Sequence, residues 1–453
     1  MIAALLLACA AAPEPAAAPA AVATAGAADR PDLAVILAPG LRADASVQGG
    51  AEAAFFTALG RRATHRFSAA YSQSPAPYTS LGSVLTGLYP GAIPMCSLPR
   101  GAGHLEVLAD PPWCATLPAE RYTFPEVLGL YGYNTTLLTS GFPAAAAFAG
   151  EFQAAVQVST SEELAAAART AVAGPGPHLV VVVPADLRMS TRADVDAVLG
   201  DLPRTKPATE AEQARALAGY ATAAGALGTA MKGVMDELEA AAGRRGLVTV
   251  AGGLTGLDLA EQGGSRDEFI PTLAEDLILD RTIHVPLAVF DTGSATAAVH
   301  EDPVELIDVF PTLAAVAEVR TPVGLSGTDL QHTPLARGAG YAYAELGDQL
   351  AVRQGAGFLL FRCYVHFCTS LDPQVTERLL DSDLGDFAGT SPYVLWDVAS
   401  DPGQSTPSLD TTSARALRSL MVKVRSGPGA VPADALDAKR LWSIRMVRSN
   451  GYW

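Results

Sequence analysis

The stretch Asp32-Leu33-Ala34-Val35-Ile36-Leu37-Ala38, running into Pro39-Gly40-Leu41-Arg42-Ala43-Asp44, decides the fold. It is short and apolar after its first residue, and a Pro-Gly pair stops it. That is the pattern of a strand buried on both faces of a parallel sheet. Asn134–Thr139, the valine run His178–Val183, Leu247–Ala251 (running into Gly252-Gly253) and His284–Phe290 repeat it. Between these runs lie the helical stretches Ala51–Arg61, Thr123–Tyr131, Ala208–Gly243 and Pro303–Ala317, the third expected to break around Gly225–Gly228. Such alternation predicts an α/β fold, a three-layer α/β/α sandwich around a mostly parallel central sheet. From residue 341 the character changes. Tyr341–Glu345, Gln349–Gln354, Phe358–Tyr364 and Tyr393–Asp397 read as short strands, and Thr412–Val424 as a helix. A small C-terminal antiparallel sheet packed with a helix is therefore expected over 341–453, after a main domain over 30–340.

With 453 residues, 49% of them hydrophobic, the chain can bury a large core. Acidic residues outnumber basic ones 47 to 31, and a net charge of -16 disfavours nucleic acid and other polyanions as partners. No Lys/Arg cluster marks a basic pocket.

The N-terminus carries its own message. Residues 1–9 are apolar and end in Leu6-Leu7-Ala8-Cys9, which resembles a lipoprotein signal-peptidase site with Cys9 as the lipidated residue. Residues 10–29 are almost entirely Ala, Pro and Gly, a tether that cannot bury a core. The expectation is an exported cell-envelope lipoprotein, held to a bacterial membrane through this anchor. Four further cysteines, Cys96, Cys114, Cys363 and Cys368, suggest two disulfides in an exported chain. Proximity pairs Cys96 with Cys114 and Cys363 with Cys368, although the sequence leaves the connectivity open.

Four separated segments resemble landmarks of the sulfatase family within the alkaline phosphatase superfamily. Arg30-Pro31-Asp32 through Leu41-Arg42-Ala43-Asp44 is similar to that family's first strand, "RPN" followed by "DDLRAD". Ser83-Val84-Leu85-Thr86-Gly87-Leu88-Tyr89-Pro90 resembles the "LLTGxYP" helix. Val304-Glu305-Leu306-Ile307-Asp308-Val309-Phe310-Pro311-Thr312-Leu313, with Gly324-Leu325-Ser326-Gly327-Thr328-Asp329-Leu330 after it, resembles "VDLxPTLL" and "LxGxSL". Tyr393-Val394-Leu395-Trp396-Asp397-Val398 with Ser400-Asp401-Pro402-Gly403 resembles the C-terminal "ELYDLxxDPxE" hairpin.

The resemblance implies an alkaline phosphatase-like fold and hydrolysis of sulfate or phosphate esters. That chemistry uses a hydroxyl- or thiol-derived nucleophile beside a divalent cation held by carboxylates. The residues depart from it. The family's first two aspartates fall on Pro39 and Gly40, and its "SDHG" falls on Ala251-Gly252-Gly253-Leu254. The "LGEHG" segment resembles Leu259-Ala260-Glu261-Gln262-Gly263, with Gln262 for histidine, and "GKWHxG" falls near Thr139-Ser140-Gly141-Phe142. The nucleophile position falls on Pro77 and the following arginine on Leu81. A two-residue deletion would instead offer Thr79 or Ser80, whose structural role would be a helix N-cap hydroxyl. Cys96-Ser97-Leu98-Pro99-Arg100 imitates the family's "CxPxR" signature, but its proline is one place late and it follows Thr86-Gly87 rather than preceding it.

The sequence therefore predicts a pseudo-sulfatase without catalytic residues, metal or other cofactor, acting as a binding or accessory protein toward a protein or small anionic ligand. The rival reading is an active sulfatase- or phosphatase-type ester hydrolase. It would use Thr79 or Ser80 and a divalent cation such as calcium on relocated ligands drawn from Asp44, Asp186, Asp258 and Glu261. A third reading, a subunit that binds an active homologue, calls for an exposed apolar patch.

Overall fold

A computed structural model of the chain describes residues 30–43, 50–93, 117, 121–141, 148–185, 187, 209–259, 278–322, 324–330, 340–346, 349–362 and 393–425. Strands β1 (Asp32–Ala38), β2 (His65–Tyr71), β3 (Asn134–Ser140), β4 (Ala154–Val158), β5 (His178–Val183), β6 (Leu247–Gly253), β7 (His284–Asp291), β8 (Ala298–His300) and β9 (Val304–Glu305) form one sheet. Their order is β4-β3-β5-β1-β6-β7-β2-β8, with β9 also pairing β2. The left and centre, β4 through β6, are parallel throughout. Strand β7 runs antiparallel to both β6 and β2, so β2 again points the same way as β1.

Alternation along β1 separates two cores. Leu33, Val35 and Leu37 face one apolar layer with α2 (Pro77–Thr86), α3 (Phe124–Leu130) and α6 (Val309–Val316). Ala34, Ile36 and Ala38 face another with α1 (Ala51–Leu59), α4 (Ser161–Ala171) and α5 (Glu210–Ala242). This is the predicted three-layer sandwich. A four-stranded antiparallel sheet follows, β10 (Ala342–Leu346), β11 (Gln349–Gln354), β12 (Gly357–Arg362) and β13 (Tyr393–Asp397). Helix α7 (Thr411–Arg425) packs on one of its faces. On the other face its Ala344, Ala351 and Leu360 join Tyr71, Ile278 and Ile283 of the main domain in one core.

Three expectations are corrected. Helix α5 runs unbroken through Gly225 and Gly228. Those glycines are where α1 crosses it: a Cβ on Gly228 would lie 3.0 Å from Ala58 Cβ and collide with the Phe55 carbonyl. Close helix approach, rather than a break, explains them. The stretch expected as one helix over Pro303–Ala317 opens instead as β9 and a 3-10 turn at Leu306–Asp308, and only then becomes α6. Strand β6 also runs two residues past its predicted end, because Gly252 and Gly253 pair with Leu37 and Ala38 of β1.

Candidate functional site

The sequence landmarks meet in space. The Gly87 carbonyl accepts hydrogen bonds from the backbone of Ser326 and Gly327, at 3.0 and 3.3 Å. Asp308 accepts from the backbone N–H of Glu305 at 2.8 Å and of Thr328 at 2.7 Å. Burial holds its carboxyl well above the ordinary aspartate range. Thr312 Oγ1 accepts from Leu330 N at 2.9 Å. Segments scattered over more than 200 positions are thus one hydrogen-bonded bracket against α2.

That bracket holds the C-terminal end of α2 at Gly87, while Ser80 at the start of α2 bonds Leu254 beside the carboxyl ends of β1 and β6, the position where ligand sites form in open α/β sheets. Four elements line it: the β1 exit, the β6 exit, the first turn of α2, and the loop from Leu254 to Leu259.

At the β1 exit, Pro39 has no N–H and its carbonyl accepts from Leu187 N at 3.0 Å. Gly40 N donates to Thr255 Oγ1 at 3.1 Å, and the Gly40 carbonyl accepts from the Tyr220 hydroxyl at 2.6 Å. That hydroxyl also accepts from Arg42 N at 2.9 Å. Gly40 has φ 79°, the left-handed region that glycine occupies without strain. Both carbonyls at this turn already serve protein donors.

At the β6 exit, Leu254 N donates to the Ala38 carbonyl at 2.8 Å, sealing β6 against β1. A Cβ on Gly252 would overlap the Pro286 carbonyl and sit 3.0 Å from Leu287 Cα. On Gly253 it would overlap the Leu41 carbonyl and sit 2.9 Å from Val285 Cβ. The neighbours are backbone of a central strand and of the β1 exit, so they cannot swing aside. The space that side chains would need here is filled by main chain.

In α2, Pro77 is the first helical residue and Ala76 the N-cap, with no side-chain cap bond. The expectation that Thr79 or Ser80 caps the helix is therefore corrected: both lie inside its first turn, and Pro77 at the first position supplies pre-set φ instead. Ser80 is fully buried. Its hydroxyl donates to the Leu254 carbonyl at 2.9 Å and lies 2.7 Å from the Ser72 hydroxyl, which bonds the Ser74 carbonyl at 2.7 Å. The bond to the Leu254 carbonyl makes Ser80 a strut between α2 and the β6 exit. Thr79 is 9% exposed and is the more accessible of the two hydroxyls.

Of the relocated ligands, Asp258 is described. It is buried and its carboxylate bonds Arg281 Nε at 2.5 Å, while Arg281 Nη1 donates to the Gly403 carbonyl at 2.9 Å. The pair ties the Leu254–Leu259 loop to the C-terminal hairpin. Asp44, Asp186, Glu261 and Gln262 lie outside the described residues, as do Cys9, Cys96, Cys114, Cys363 and Cys368. Among the described residues no group of three His, Cys, Asp or Glu side chains converges as a metal site. The described residues at these strand ends do not fit a hard divalent cation, which needs several free oxygen ligands.

Tyr220, Thr255, Ser72, Arg42 and Arg281 were not anticipated. Arg42 Nη1 donates to the Leu257 carbonyl at 3.0 Å, and its guanidinium lies 5.8 Å from the Tyr220 ring centre. Tyr220 sits mid-helix in an alanine-rich run with nothing local to mark it; its one large polar side chain among alanines was the available signal.

The sheet order, the helices on both faces and the appended four-stranded sheet define an alkaline phosphatase-like α/β fold. No protein-family model matches the sequence, and no curated protein matches it either. Solved structures do. The chain is similar to a candidate sulfatase from Bacteroides thetaiotaomicron, with a TM-score of 0.61 and 14% identity over 87% of this chain and 91% of that one. It is similar to a 2-O GAG sulfatase, with a TM-score of 0.60 and 14% identity over 93% of each. A sulfatase from glycosaminoglycan metabolism in Bacteroides thetaiotaomicron aligns with a TM-score of 0.59 and 11% identity over 88% of this chain and 98% of that one. The chain has the sulfatase fold.

Proposed function

We propose that this chain is a sulfatase-family member that has lost metal-dependent ester hydrolysis and serves as a binding or accessory protein. The observation that carries the reading is main chain filling the β6 exit at Gly252 and Gly253, where the resemblance places an aspartate and a histidine. A missing ligand can be replaced from a neighbouring loop; a missing cavity cannot. The committed carbonyls at Pro39 and Gly40, the strut role of Ser80 and the Asp258–Arg281 pair support the same reading. In this proposal Cys9 carries a lipid anchor, residues 10–29 are the tether, and the protein sits on the exported side of a bacterial membrane. Two disulfides among Cys96, Cys114, Cys363 and Cys368 belong to the same proposal. Since structural neighbours include a 2-O GAG sulfatase, small sulfated saccharides, rather than polyanionic chains, are the first ligand class to screen.

The test is metal analysis of the purified protein together with hydrolysis of aryl sulfates and aryl phosphates. The expected result is no stoichiometric calcium, zinc or manganese and no turnover. Stoichiometric metal with turnover that disappears in the Thr79→Ala, Ser80→Ala double variant would establish the hydrolase instead.

A further inference from the structure

The edge of the sheet at β8 holds a feature that neither the fold nor the proposed function uses. His65 opens β2 and His300 closes β8, two residues apart diagonally across a parallel pair at the sheet edge. His65 Nδ1 and His300 Nε2 lie 3.0 Å apart. Both residues are partly exposed, and β7 lies between their strands and β6. The ring of Phe67 stacks on His300, with centres 4.9 Å apart and planes 18° apart, and covers one face of that imidazole.

We propose that His65 and His300 form a two-imidazole site for a divalent transition-metal ion of the copper(II) or nickel(II) type. Two bonds of about 2.0–2.1 Å to nitrogens 3.0 Å apart meet at roughly a right angle, the angle between neighbouring ligands in tetragonal coordination. Neutral imidazole is the ligating form, and His65 is held below the ordinary histidine range by burial and by the neighbouring His300, against the opposing pull of Asp291. Asp291, at the end of β7, also adds negative charge that favours a cation. Without metal the two nitrogens share one hydrogen as an N–H···N bond. On binding, whichever ring donates that bond shifts its proton to its other nitrogen, both rings turn their lone pairs onto the ion, and no proton leaves the protein. Among the described residues no third ligand of the His, Cys, Asp or Glu type converges here, so water fills the remaining positions. Hard cations such as magnesium and calcium are excluded by the all-nitrogen donor set.

Copper(II) chloride titrated into the full chain by calorimetry is expected to show a one-to-one site, with no heat from magnesium or calcium chloride. His65→Ala and His300→Ala should each weaken binding at least tenfold. Because neither variant is guaranteed to keep β8 docked, electron paramagnetic resonance of the unmutated protein with one equivalent of copper provides the second arm. Splitting from two imidazole nitrogens is expected. Absence of a one-to-one site, undiminished binding in both variants, or a nitrogen count other than two would overturn the proposal. None of these outcomes bears on ester hydrolysis at the β6 exit, from which β7 separates the pair.

Discussion

Replacing Gly253 by alanine tests whether the β6 exit is closed by main chain. The added Cβ would stand 2.9 Å from Val285 Cβ, 3.1 Å from the Leu41 carbonyl carbon, and closer still to that carbonyl's oxygen. Leu41 is anchored through the hydrogen bonds of Gly40 and Arg42 on either side, and Val285 lies in β7. Neither can retreat without breaking sheet or turn hydrogen bonds. Overpacking a tight core typically costs about 1–3 kcal/mol, and this site belongs at the upper end, about 3 kcal/mol. With an unfolding entropy of about 2.1 cal/mol/K per residue, a chain of 453 residues has roughly 1 kcal/mol/K. The expected fall in Tm is then about 3 °C, measured by scanning calorimetry. Gly219→Ala supplies the opposite sign, since a Cβ there meets nothing within 4 Å inside α5. It should gain about 0.5–1 kcal/mol from helix propensity. A Gly253→Ala protein with unchanged Tm, or a Gly252→Asp, Gly253→His protein that keeps its Tm and takes up calcium, would refute the closed-exit argument.

Other expectations are simpler to state. Asp258→Ala leaves the Arg281 guanidinium buried beside an absent partner and should destabilise by about 3–5 kcal/mol in denaturant titration; a replacement without effect would mean the pair is not holding the hairpin. Ser80→Ala removes the strut to Leu254 and should cost about 1–2 kcal/mol without altering any ester hydrolysis; a specific loss of turnover at full stability would count against the strut. Asp32 gives the pH signature. Burial alone would raise its carboxyl, but hydrogen bonds from His178 and Arg245 outweigh that and hold it below the ordinary 3.8. Its ionised form therefore stabilises the fold above pH 3.8, and that contribution fades as pH falls through the lower folded value. Asp32→Asn should flatten the acid limb of a stability-versus-pH curve; an identical acid limb would assign the signature elsewhere.

Much of the fold was legible because its strands are buried on both faces and read as unbroken apolar runs. Asp32–Ala38 and His178–Val183 fall where the composition puts them. Strands β2 and β4 escaped notice: His65–Tyr71 is mixed in polarity, and Ala154–Val158 is an exposed edge strand. The glycines misled in both directions. Gly225 and Gly228 suggested a helix break, and Gly252-Gly253 a strand end, whereas each pair permits a close tertiary approach that no local pattern announces. For the site, the sequence could count missing carboxylates but could not see that the Gly40 carbonyl serves Tyr220, 180 positions away.

The place of β2 in the sheet has a consequence for how the chain reaches its native state. Strands β1, β3, β4 and β5 all lie within the first 183 residues and can zip together early. Strand β2, also early in sequence, pairs among the described residues only with β7, β8 and β9, which begin at residue 284. It must wait for more than 200 further residues, and closing so long a loop slows assembly. Until then, the strand that leads into Ser72 and α2 has no sheet partner, so that side of the candidate site takes shape after β1.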